Sequence, residues 1–203
     1  MKEAIKKVIE QEAQAIKNIP VGDDFIHAIE LIHRQVHRKN GKLVVSGMGK
    51  AGQIAQNIAT TFSSTGTPAV FLHPSDSQHG DLGVVQANDV LLLISNSGKT
   101  REILELVQLA ENLHTGLPLI VISGNPESIL ARSSDAFLST GNPAEVCPLG
   151  LTPTTSTTAM TVIGDALVVS LMKKIGFTSH DYAKRHHGGY LGDKSRFQAK
   201  LKK

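Results

Sequence analysis

Apolar residues recur along this chain with two periods, and the alternation between them predicts the architecture. Residues 1–19 carry Ile5, Val8, Ile9, Ala13 and Ile16 at helical spacing, and Pro20 and Gly22 end the run. Asp23 or Asp24 can cap a second helix, whose one face holds Phe25, Ile26, Ile29, Ile32, His33 and Val36 and which closes at Asn40-Gly41. Short apolar runs at 42–46, 69–72, 89–94, 117–123 and 135–138 read as strands of a parallel sheet buried on both faces. Helical periodicity returns after Gly52 and at 101–113, 127–132 and 159–174, with a last short helix from Thr178 or Ser179 to about 187. Strands alternating with helices predict an α/β fold: a five-stranded parallel sheet with helices on both faces, an α-β-α sandwich joined by right-handed crossovers. The two leading helices form an added layer or a dimer interface. Segments 75–83 and 140–158 follow neither period and read as loops; one as long as the second is usually functional. The expected organisation is helices over 1–40, one α/β domain over 41–192 and a basic tail over 193–203.

The third strand stops abruptly at Ser95-Asn96-Ser97-Gly98-Lys99-Thr100, directly before a helix. Strand, hydroxyl-rich turn, helix is an order that leaves backbone N–H groups and the positive end of a helix dipole free at the turn. Ser95, Ser97 and Thr100 add donors, and Gly98 lets the backbone approach a ligand. A single cap residue would satisfy the helix, so the surplus points to a phosphate or another small anion. A nucleotide P-loop is excluded, because the glycine it needs five positions before Gly98 is Leu93.

The first strand leads into Gly47-Met48-Gly49-Lys50-Ala51-Gly52, a G-x-G-x-x-G between strand and helix. A dinucleotide site also wants an acidic residue at the end of the second strand; His73-Pro74-Ser75 stands there, with Asp76 late. The glycines therefore suit a tight turn and a small ligand. Lys50 stands at a helix N-terminus, where the dipole disfavours a purely structural cation, so it serves a bound anion or a reacting oxygen. A second hydroxyl run, residues 154–158, precedes the long helix, and Ser156, Thr157 and Thr158 become further phosphate donors beside Ser46.

Composition narrows the partners. Of 203 residues, 40% are hydrophobic and only 4% aromatic, without Trp, which fits one domain with an aliphatic core. The net charge of +3 is mild and sits largely at Lys194, Arg196, Lys200, Lys202 and Lys203. With no aromatic residues interleaved, this reads as a frayed, solvated terminus and not a nucleic-acid surface. Cys147 is the only cysteine, so no intrachain disulfide forms. No signal-peptide core and no membrane-length apolar run is apparent, and a soluble cytoplasmic protein without membrane partner is expected.

Gly47-Met48-Gly49-Lys50, His79-Gly80-Asp81-Leu82-Gly83, Ser95-Asn96-Ser97-Gly98, Cys147-Pro148-Leu149-Gly150-Leu151-Thr152-Pro153-Thr154 and His186-His187-Gly188-Gly189 together resemble the sugar isomerase (SIS) domain family, within it the arabinose-5-phosphate isomerases, over residues 43–192. The resemblance implies conversion of D-ribulose 5-phosphate to D-arabinose 5-phosphate, feeding Kdo synthesis for lipopolysaccharide or capsule, by a homotetramer with active sites at subunit interfaces. Many relatives continue into a pair of CBS modules, before which this chain ends; feedback is then expected on the SIS domain itself, from a downstream sugar nucleotide such as CMP-Kdo. Lys99-Thr100 follow Gly98 where relatives often place Glu or another residue, which bears on substrate preference.

Aldose–ketose isomerisation moves a proton between C1 and C2 through an enediol and needs a base, an acid or polariser and a fixed phosphate, with no cofactor and no metal. The phosphate belongs on the hydroxyl turns, with Gly47, Gly49, Asn96 and Gly98 shaping the site. The resemblance places catalytic carboxylates at Glu102 and Glu145. A helix N-terminus weakens a carboxylate as a base. Glu145, in an irregular loop, is therefore the preferred base, with Glu102 orienting the sugar or serving as the alternative base. Lys50 is expected to stabilise the enediolate or contact substrate oxygens, and the resemblance matches His79 and His186 to functional positions, which implies ring opening or proton shuttling for His79 and acid–base work for His186. His187 stands where relatives often have Pro, and its role is open. His73, His79, Asp81 and His186 offer no tight metal spacing, so a transition metal would bind there only adventitiously, as an inhibitor. An isomerase of another phosphosugar and a catalytically silent sugar-phosphate sensor are the alternatives; a sensor needs only the phosphate turns.

Overall fold

A strand buried on both faces needs helices above and below it, and the computed structural model, which describes residues 1–201, supplies both layers. The strands are β1 (Leu43–Gly47), β2 (Ala69–Phe71), β3 (Val90–Ile94), β4 (Leu119–Ser123) and β5 (Ala136–Ser139). They pair in parallel in the order β2-β1-β3-β4-β5. Every residue of β1, β3 and β4 is buried, which explains their unbroken apolar runs.

Alternate side chains enter two separate cores. Leu43, Val45, Leu92, Ile94, Ile120 and Ile122 pack under α2 (Asp23–Ile32), α3 (Gly49–Ser64) and α7 (Thr155–Lys174). Val44, Leu91, Leu93 and Val121 face α5 (Arg101–Leu113) and α6 (Ile129–Arg132) on the other side. Each fully buried Leu or Ile removes enough apolar surface to contribute roughly 1.5–3 kcal/mol.

The leading helices divide. Helix α2 buries Phe25, Ala28, Leu31 and Ile32 and runs on as a π-helical turn over His33–Arg38, so it belongs to the core layer. Helix α1 (Lys2–Lys17) packs on α7 with no residue fully buried, and leaves Ile5, Val8 and Ile9 exposed.

Four sequence expectations are corrected. Segment 75–83 is not all loop: α4 (Pro74–Ser77) and a 3-10 turn (Asp81–Val84) occupy much of its neighbourhood. Helix α7 begins at Thr155, so most of the hydroxyl run lies inside its first turn. The basic tail is not frayed over its described part; α8 (Ser179–Arg185) is followed by α9 (Gly189–Leu201), whose partner is chiefly α8. Lys202 and Lys203 lie outside the described residues. Finally, α7 is by length and composition apolar enough to cross a membrane, contrary to the sequence reading. Its buried Ala159, Met160, Ile163, Gly164, Leu167, Val168 and Leu171 pack in the domain core, which explains that composition.

Candidate active site

In a 2-1-3-4-5 sheet the chain departs in opposite directions from β1 and β3, and a crevice opens between their C-terminal ends. Both ends carry the glycine- and hydroxyl-rich turns. A cleft of about 500 Å³ lies there. Lys50 at the start of α3, Ser95, Asn96, Ser97 and Thr100 before α5, and Ser156 and Thr157 at the start of α7 all line it. Met48, Ala51, Ile94 and Met160 give its apolar lining, with Asn125, Asn142 and Pro153 completing the wall.

The β3–α5 turn is ordered by its own side chains. The Ser95 and Thr100 hydroxyls bond at 2.9 Å, and the Lys99 N–H donates to Ser97 Oγ at 3.2 Å. No side chain caps α5; the Ile103 N–H donates to Thr100 O at 3.2 Å, and the Arg101 and Glu102 amides have no acceptor among the described residues. Gly98 is buried, with φ +61°, and a Cβ there would lie 2.1 Å from Ser128 Oγ. Its glycine is thus required by backbone conformation and by packing against α6, not by approach to a ligand as expected. The G-x-G-x-x-G turn behaves alike: a Cβ on Gly47 would stand 2.8 Å from Ala51 O, and one on Gly52 2.6 Å from Gly47 O. Gly47 therefore serves close strand–helix packing, while the exposed Gly49 (φ +59°) makes the turn.

Loop 140–154 is organised by two acceptors. The Glu145 Oε2 receives the Thr154 N–H (2.7 Å), the Thr154 hydroxyl (2.9 Å) and the Ser156 N–H (3.3 Å). Burial acts to raise the Glu145 pKa, but these hydrogen bonds from Ser156 and Thr154 prevail and hold it below its usual value of 4.5. The Thr155 hydroxyl donates to Glu12 Oε1 from α1 at 3.1 Å, so two carboxylates occupy the start of α7. Cys147 Sγ accepts the Thr152 and Leu151 N–H groups at 3.1 and 3.3 Å, and the Thr152 amide leads in pulling its pKa down to about 7.

This geometry removes the ground for ranking Glu145 above Glu102 as base. Glu145 does not stand clear of helix dipoles, because it caps α7; both carboxylates lie at helix N-termini. Neither lines the cleft, but Glu145 bonds to Ser156 and Glu102 follows Thr100 by two residues, so both flank it. Ser46 is not brought to the site: it is fully buried and its hydroxyl donates to Leu72 O at 2.6 Å. Thr158 is turned to its own helix, donating to Thr154 O.

The histidines lie elsewhere in this chain. His79 is exposed after α4. His186 ends α8, stacked on Tyr182 at 3.7 Å between centroids. Its Nδ1 lies 3.0 Å from Tyr182 O, which places the proton of the neutral ring on Nδ1 and leaves Nε2 as acceptor. Among the described residues no group of three or more His, Cys, Asp or Glu side chains is arranged to hold a metal.

Asn125 and Asn142 were missed by sequence reasoning. The signal was the tripeptide Gly-Asn-Pro, which occurs twice, at 124–126 and 141–143, after consecutive strands β4 and β5.

The model of the SIS domain family matches residues 37–170. The arabinose 5-phosphate isomerase KdsD of Yersinia pestis is 47% identical over 194 residues, covering 95% of this chain and 57% of that protein. The chain thus spans little more than half the length of such curated relatives. Among solved structures, a candidate phosphosugar isomerase involved in capsule formation, from Bacteroides fragilis NCTC 9343, superimposes with a TM-score of 0.92 and 69% identity, covering 94% of this chain and 99% of its own. A protein of E. coli CFT073 in complex with arabinose 5-phosphate aligns with a TM-score of 0.83 and 36% identity, over 90% of this chain and 95% of that one.

Proposed function

Because the chain belongs to the SIS domain family, we propose that it is a phosphosugar aldose–ketose isomerase interconverting D-ribulose 5-phosphate and D-arabinose 5-phosphate through an enediol. The observation that carries this reading is the uncapped start of α5 at the sheet's switch point, with Lys50 and the α7 hydroxyls sharing its cleft. The arabinose 5-phosphate bound to the E. coli CFT073 relative supports the choice of sugar.

The phosphate sits on Ser95, Ser97 and Thr100 and on the free amides of α5, with Ser156 and Thr157 beside it. A phosphate fixed at one end holds the reacting carbons in place, converting proton transfer into an effectively unimolecular step. A carboxylate removes the proton from C1 of the ketose and the proton returns at C2, giving the aldose. Both carboxylates flank the cleft from helix N-termini; the role goes to Glu145 because three hydrogen bonds on Oε2 fix its carboxylate at the start of α7 and Oε1 accepts none from a described residue, and Glu102 orients the sugar. Lys50 offsets charge developing on the enediolate oxygens. His79 opens the ring and the free Nε2 of His186 relays protons at the oxygens.

Since His79 and His186 lie outside the cleft of their own chain, the site is completed in a homotetramer, with the exposed Ile5, Val8 and Ile9 face of α1 part of the contact. The reading extends to a cytoplasmic enzyme feeding Kdo synthesis for lipopolysaccharide or capsule, and to CMP-Kdo competing at the same cleft as an anionic product analogue. The test is isomerisation over a panel of pentose and hexose phosphates, with CMP-Kdo as competitor. Turnover of ribulose 5-phosphate above all others is expected; no turnover of any of them would leave a sugar-phosphate sensor. Co-assembled Lys50→Ala and His186→Ala chains should recover activity that neither has alone, and failure to do so would remove the shared site.

A further inference from the structure

We infer that Asn96 and Asn142 form the polyol end of the cleft, a pair of neutral carboxamides that selects the hydroxylated chain of the sugar phosphate. This deepens the isomerase reading and rests on it for the identity of the substrate.

The two Gly-Asn-Pro turns have the same sequence and different states. Asn125 is engaged by the protein: its Oδ1 accepts the Glu127 N–H at 3.1 Å and its Nδ2 donates to Ser97 O at 3.2 Å. That is an ordinary Asx turn. Asn142 has its backbone at φ +48°, directly before Pro143, and Gly141 before it stands at φ +77°. Left-handed backbone is disfavoured for a residue with a Cβ, and a following proline narrows the choice further. The Asn142 N–H bonds to Thr140 Oγ1 at 3.3 Å, and its carboxamide has no hydrogen bond to any described residue. The conformation thus holds an unengaged carboxamide at the cleft wall.

Asn96 meets it there. A Cβ built on Gly124 would stand 2.8 Å from Asn96 Oδ1, 3.0 Å from Asn142 Oδ1 and 3.3 Å from Thr140 Oγ1. One carboxamide comes from the end of β3 and the other from the end of β5, and both oxygens rest on Gly124 at the end of β4 between them. Neither carboxamide hydrogen-bonds to a described residue, so both keep their donors for a ligand. Asn96 is anchored by its backbone oxygen, which accepts the Gly124 N–H and the Ser123 hydroxyl at 3.1 Å each. Both side chains are exposed and both line the cleft.

Neutral donors suit hydroxyl oxygens and give no ion pair to a second phosphate or a carboxylate. In strand order Asn142, after β5, lies on the far side of the β3 turn from Lys50, so it contacts hydroxyls other than the oxygens Lys50 serves.

The test measures binding of arabinose 5-phosphate and of inorganic phosphate by calorimetry, and turnover of ribulose 5-phosphate, in the full chain. Asn142→Gly is the main variant, because glycine keeps φ +48° without strain and removes only the side chain. The expected result is a roughly tenfold loss of sugar-phosphate affinity and of kcat/KM, with phosphate affinity unchanged. Gly124→Ala, whose methyl displaces both carboxamides, should give the same selective loss. Asn142→Gly with wild-type preference for the sugar over phosphate overturns the inference alone. A wild type that binds arabinose 5-phosphate no better than phosphate overturns the inference and the isomerase reading together.

Discussion

Two helices begin at this cleft with nearly the same chemistry and opposite fates. The start of α5 is reached through Ser95, Ser97 and Thr100, the start of α7 through Thr154, Thr155 and Ser156. No side chain caps α5, whereas Glu145 and Glu12 both accept hydrogen bonds at the start of α7. A helix N-terminus attracts an anion whether the anion is external or built in. The open start is therefore the one that suits the proposed phosphate, and the filled one holds the carboxylate of Glu145 beside it.

The largest effect expected from this contrast is on chemistry. Glu145→Gln keeps an oxygen for the Thr154 and Ser156 amides and removes the proposed base, so turnover should fall about a hundred- to ten-thousand-fold. Deuterium wash-in at the substrate carbons, followed by NMR, reads it directly. Rapid wash-in by this variant, with none by Glu102→Gln, would exchange the two roles.

Next comes the frame of the open start. Gly98→Ala forces a side chain onto φ +61° and into Ser128, and should cost about 1–3 kcal/mol in urea unfolding. An undiminished stability would mean that the turn is not braced against α6.

Smaller again is the anion site itself. Ser97→Ala removes one donor from the open start and should raise KM for ribulose 5-phosphate roughly tenfold, with kcat nearly kept. Phosphate affinity should weaken in step, unlike the Asn142 variant. Unchanged apparent affinity would refute the seat.

The smallest effect concerns the filled start. Glu145→Ala removes the cap of α7 and should destabilise by about 1 kcal/mol near neutral pH. The Glu145 pKa is lowered on folding, so its stabilisation is present above the ordinary value of 4.5 and disappears as pH falls through the folded-state value. Thermal unfolding of wild type and variant should converge on that acid side; a gap constant with pH would deny that the carboxylate charge contributes.

Much of the fold was legible because its signals are local. The apolar runs of β1, β3 and β4 are short, unbroken and bounded by turn residues, the pattern of strands buried on both faces. The Ser95–Thr100 turn declared itself by carrying more hydroxyls than a cap needs. Less legible was α9, whose Lys and Arg content masked a helix lying against α8. Ser46 was misread because a buried serine and a ligand-binding one look identical until Leu72 O is seen beside it.

By itself, then, the sequence determined the alternation of strands and helices, the hydroxyl-rich turn after β3 and the cation at the start of α3, Lys50, since periodicity and turn chemistry act over a few residues. Tertiary structure decided which helix start stays open. The carboxylates that fill α7 come from Glu145, nine positions before Thr154, and from Glu12, 143 positions before Thr155. It also decided that Asn96 and Asn142 meet over Gly124, because that depends on β3, β4 and β5 lying side by side, an arrangement fixed by burial of the sheet's two faces and by no residue within either turn.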